Sequence, residues 1–107
     1  MVDFSIVYPF SQSDALQIKE PLMSVVVDLI KSVQETPDGY VLNCGREPEC
    51  LQPLCRLMEV QRVLNPFLRS HLVVESNGGP IKLEISGPSG TKDFLHTEFG
   101  LIRWTLN

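Results

Sequence analysis

All three cysteines of the chain fall inside one stretch, NCGREPECLQPLC at 43–55, so thiol chemistry is the first to weigh. Structural zinc draws on pairs spaced C-x2–4-C, because a short knuckle must aim two sulfurs at one ion. Here Cys44 and Cys50 are spaced C-x5-C, Cys50 and Cys55 C-x4-C, and no second pair follows downstream. On a helix, five residues separate Cys50 from Cys55 by roughly 140°, which keeps them from sharing an ion or a disulfide. His71 and His96 would have to complete a metal site, and nothing in the sequence places them nearby. No metal and no cofactor are therefore expected.

Redox or nucleophilic use of a thiol needs a stabilised thiolate. Cys44 and Cys50 could meet across the GREPE loop, which makes them the pair for a thiol enzyme or redox sensor. Cys50 is expected at an exposed helix start, where the dipole lowers a thiol pKa. Glu47 and Glu49 oppose that effect and Arg46 alone does not outweigh them. No C-x-x-C motif is present. The plainer expectation is that Cys44 ends a buried strand and Cys55 lines a helix–sheet contact, as free cysteines often do.

Two further constellations invite chemistry. GPSGTK at 87–92 resembles a piece of a phosphate loop, but Lys92 stands where that motif needs its second glycine, and FLHTEF after it reads as strand. A loop between antiparallel strands is expected instead. In DFLHTEF, His96 and Glu98 would share one side of such a strand, a general base with its orienter, yet no nucleophile can be placed beside them. No catalytic residue is assigned.

The 107 residues fit a single domain, with 43% hydrophobic and 21% charged residues, enough apolar side chains for one real core. Thirteen acidic against nine basic residues give a net charge of −4, which disfavours nucleic acid and anionic membranes as partners. Arg56, Arg62 and Arg69 are spread over fourteen positions with Glu59 among them, the pattern of a solvated helix face. No apolar run approaches the ~20 residues of a membrane span. The opening MVDFSIVYPF lacks the basic start of a secretory leader, and the cysteine count is odd, so a cytoplasmic location is expected.

The elements follow from periodicity. Val2, Phe4, Ile6 and Tyr8 alternate with Asp3 and Ser5, as in a half-buried strand over 2–8. Ser11 and Ser13 are helix N-cap candidates, but Pro21 limits 10–20 to a short turn and loop. Leu22, Val25, Val26, Leu29, Ile30 and Val33 form a helical stripe over 21–35, with Pro21 at the first position and TPDG as the stop. YVLNC at 40–44 reads as the next strand, completing a βαβ unit with parallel strands. Leu54, Leu57, Val60, Leu64 and Phe67 give the stripe of a second helix over 51–65, ended by Pro66. HLVVES and IKLEIS flank NGGP, a hairpin signal. After it, Ile102, Trp104 and Leu106 alternate as a buried C-terminal strand, with Gly100 as a bulge or, alternatively, part of a tight turn. The order β-α-β-α-β-β-β makes a two-layer α/β (α+β) sandwich, one mixed sheet with two helices on one face.

No catalytic constellation survives, so the leading expectation is a non-catalytic protein-interaction or adaptor domain, such as a small subunit of a larger assembly, with a sheet edge free for pairing. A thiol enzyme or redox sensor using Cys44 and Cys50 is the alternative, and a small-ligand binder with a pocket between helices and sheet is a third.

Overall fold

A computed structural model describes residues 11–105. The strand expected over 2–8 and the side chain of Leu106 lie outside the described residues. Helix α1 spans Gln12–Leu29. Its start is set by a capping box: the Asp14 N–H donates to Ser11 Oγ at 3.0 Å, and the Ser11 N–H donates to Asp14 Oδ2 at 3.2 Å. The helix passes through Pro21 instead of starting there. Proline deprives the Gln17 carbonyl of its partner, but Gln17 and Pro21 are both exposed, so water replaces the bond. Ala15, Met23 and Val26 form the buried stripe, whereas Val25 faces solvent.

The expected βαβ unit is corrected at the far end of that helix. Ile30 turns extended, and Ser32–Glu35 form strand β1, paired antiparallel with β2 at Gly39–Asn43. The residues between them, 36–38, close a hairpin, with the Thr36 N–H donating to the Gly39 carbonyl at 2.9 Å. TPDG is therefore a hairpin turn and not a helix stop. A one-turn 3-10 segment at Pro48–Cys50 leads into helix α2, Leu51–Leu64, as the stripe of Leu54, Leu57 and Val60 predicted.

Strands β3, Arg69–Val74, and β4, Ile81–Ser86, form the second hairpin. Asn77 and Gly78 take positive φ at its turn, the conformation that NGGP permits. The sheet order is β1-β2-β4-β3 with every pair antiparallel, so among the described residues the sheet is not mixed.

The C-terminal region is the largest correction. No strand lies there among the described residues; Thr91–Glu98 form helix α3 and Ile102–Thr105 a single helical turn, α4. Gly100, at φ +61, closes α3 in a left-handed cap, with its N–H on the Thr97 carbonyl and the Leu101 N–H on the His96 carbonyl. Neither a bulge nor a hairpin turn stands at 99–100, because Gly100 joins two helical segments and not two strands. Leu95, Phe99 and Leu101 are buried, but Ile102 is 60% exposed and Trp104 half-buried.

The α+β class and the layered sandwich hold. Tyr40, Leu42, Ile81, Leu83 and Ile85 line one face of the sheet and join Met23, Val26, Leu54, Leu57, Leu95 and Phe99 in one core. That core draws on α1, α2 and α3 together, not on two helices. The opposite face, with Gln34, Val41, Glu84 and His71 in one row across the strands, contributes nothing to it.

Candidate interaction surface

The thiols separate by environment. Cys44 follows β2 and is 1% exposed, as expected of a strand-end cysteine. Cys50 is also fully buried, not at an exposed helix start, because the 3-10 turn folds it inward. Its Sγ donates to the Glu47 carbonyl at 2.9 Å. Cys55 is the exposed one and lines no helix–sheet contact. Burial, with the Cys50 thiol close by, pushes Cys44 up to about 11. Burial also raises Cys50, and Glu49 and Glu47 add to the rise against the favourable backbone hydrogen bond. Both buried thiols thus stay protonated at neutral pH. Among the described residues no group of three or more His, Cys, Asp or Glu side chains could hold a metal ion.

The other constellations come apart in the same way. On helix α3, His96 and Glu98 are two residues apart and face different directions. His96 Nε2 sits 2.9 Å from Thr105 Oγ1, and Glu98 pairs with Lys19 of α1 at 2.6 Å. GPSGTK does lead into a helix, contrary to expectation. A hollow of about 280 Å³ forms there, but Asp38 and Asp93 line it, and Lys92 is drawn off to Glu35 and the Tyr40 ring. Two carboxylates and a diverted lysine are the wrong surroundings for a phosphate. The solvated helix face expected of Arg56, Arg62 and Arg69 holds only the first two: Arg56 pairs with Glu59 on α2, whereas Arg69 lies on β3.

A groove of about 770 Å³ runs between α1 and α2, lined by Leu22, Val25, Pro53 and Cys55 and rimmed by Glu49, Arg56 and Glu59. It lies on the outside of the helical layer, not between helices and sheet where a small-ligand pocket was expected. No described helix is long and apolar enough to cross a membrane.

Among the described residues the sheet has two edges, β1 and β3. Among the described residues β3 pairs on one side only, with β4. The direction of its backbone groups follows from the bonds around it. The Glu75 N–H donates to the Pro80 carbonyl at 3.3 Å, and Ile81 bonds across β2, to Cys44 and Gly45. Antiparallel ladders alternate, so Arg69, His71 and Val73 aim their N–H and C=O groups at β4. Ser70, Leu72 and Val74 then aim theirs outward. The register with β4 runs unbroken from Arg69 to Val74, without bulge, proline or lysine in the strand. Those are the devices by which edges are commonly blunted. Val74 is 57% exposed, and Phe67, two residues before the strand, is also exposed. His71 lies 3.9 Å from Glu84, its register partner, on the outer face.

A free edge is expected from the sequence, partly in a C-terminal strand. HLVVES was legible as a hairpin strand; what was missing was the strand order that leaves it at an edge among the described residues. Comparison with protein-family models, curated proteins and solved structures yields no match to this chain.

Proposed function

We propose that this chain is a non-catalytic protein-interaction domain that takes a partner strand along β3. One observation carries the reading: six residues in regular register offer three outward-facing N–H and C=O pairs beside exposed Val74 and Phe67. Edge addition draws affinity from main-chain hydrogen bonds and specificity from alternate side chains. The thiol alternative is disfavoured by its own chemistry, because the two candidate thiols are buried and their pKa values are raised.

Val74→Pro tests the reading. The Val74 N–H points away from β4, so proline removes an edge donor and leaves the β3–β4 ladder intact. Affinity purification from the native source with the intact chain and with Val74→Pro, followed by mass spectrometry, should recover a protein partner with the first and lose it with the second. Capture that is unaffected by the proline, or no capture by the intact chain, contradicts the reading.

A further inference from the structure

We propose that the strand received along β3 is β3 of a second copy of this chain, paired antiparallel about a two-fold axis at Leu72; this rests on the edge-pairing reading above and names its occupant. The self-complementarity is in the parity of the strand. A two-fold axis through Leu72 sets Leu72 opposite Leu72 of the second copy and Ser70 opposite its Val74. Those are the residues whose backbone groups face outward, so all three positions on each chain enter the new ladder. Moving the axis by one residue, to His71, leaves Val74 without a partner among the outward-facing positions.

The side chains fit the same axis. On the helix-facing side Leu72 meets Leu72, and exposed Val74 lies beside Ser70 of the second copy. On the outer face His71 meets Val73, and Arg69 stands opposite Glu75, once at each end of the ladder. These outer-face positions belong to the non-hydrogen-bonded class, where opposed side chains approach most closely. Glu75 also lies 4.0 Å from Lys82 of its own chain, a separation loose enough to be shared. Both copies carry a net charge of −4, but physiological salt screens charges separated by more than about 8 Å and leaves the local pairs. Over the described residues the product is one continuous eight-stranded antiparallel sheet. A ladder of this length is an interface of under about 1,200 Å², which belongs with weak, reversible association.

Sedimentation equilibrium of the full chain alone, from about 1 to about 500 µM at about 0.15 M salt, tests it. The mass should climb from 12.0 kDa towards twice that value with concentration. Val74→Pro should hold the chain monomeric throughout, with its melting temperature checked by circular dichroism. Arg69→Glu should weaken association at least about fivefold, since it sets like charges opposite each other at both ends of the ladder. Adding Glu75→Arg to Arg69→Glu should restore it, which keeps the inference testable if the proline variant fails to fold. A monomer at every concentration, a dimer indifferent to Val74→Pro, or no rescue by the charge swap overturns the inference. If the purified chain is monomeric while capture from extract remains sensitive to Val74→Pro, the second copy falls as occupant and edge pairing stands; if the intact chain captures nothing, or Val74→Pro captures as much, both fall.

Discussion

Cys50 shows how far one residue's surroundings decide its chemistry. Its position at a helix start suggested activation, yet the 3-10 turn of Pro48–Cys50 swings the thiol into the core, where desolvation favours the neutral form. In the native protein at pH 7, Cys55 should therefore alkylate quickly and Cys44 and Cys50 only as the domain opens. Mass spectrometry after an iodoacetamide pulse should show one modified thiol, and three after denaturation; rapid double or triple labelling of native protein contradicts this. Cys50→Ser should cost ~1–3 kcal/mol in a denaturant titration, because it puts a hydroxyl among apolar groups. Cys55→Ser should cost under ~0.5 kcal/mol at its exposed site. The pH dependence follows from Cys44. Its folded pKa of about 11 lies above the ordinary 9.0, so the folded state holds a proton that the unfolded state has lost in between. The stability linked to this thiol is complete below about pH 9 and is lost as pH rises towards 11. Urea midpoints between pH 8 and 11 should fall less steeply in Cys44→Ala than in the parent.

Among the elements, the β2–β4 contact has least room to adjust. A Cβ on Gly39 would lie 1.8 Å from the Ile85 carbonyl oxygen, a backbone atom in the middle of the sheet. Gly39→Ala should cost ~3 kcal/mol or more, at the upper end of overpacking effects, and thermal denaturation measures it directly. A variant that melts within a degree or two of the parent would show that β2 and β4 do not approach so closely. Much of this architecture was legible. The helix over Leu51–Leu64, the β3–β4 hairpin and the burial of Cys44 all followed from local period and turn chemistry. Misread elements were those where local signals agreed with two structures. Pro21 ordinarily bounds a helix, but the Ser11–Asp14 capping box starts this one nine residues earlier, and solvent satisfies the carbonyl that proline orphans. TPDG stops a helix or turns a hairpin with the same residues, and only pairing of Ser32–Glu35 with β2 decides between them. Ile102, Trp104 and Leu106 alternate over too few positions to outvote the Leu95–Phe99 spacing, which is that of a helical turn. The candidate edge was half-visible for the same reason: strand identity is local, strand order is not.

At the scale of the whole molecule, the helices pack against one face of an antiparallel sheet and leave the other face, with its polar rows, outside the core. The charge of −4 and the separation of Arg56, paired with Glu59, from Arg69 on β3 leave little to release counterions from a phosphate backbone. Fluorescence polarisation with labelled DNA and RNA at physiological salt should show no salt-steep binding; submicromolar affinity would contradict that. The surface proposed for a partner is the β3 edge, and amide hydrogen exchange followed by NMR reads that edge one residue at a time. In dilute protein the amides of His71 and Val73, bonded to β4, should be protected, while those of Ser70, Leu72 and Val74 exchange quickly. When the edge is occupied, by raised concentration or by an added partner, these three should slow at least about tenfold together. Protection of Ser70, Leu72 and Val74 already in dilute protein, or no change when association is driven, would contradict the assignment of β3 as the interaction surface.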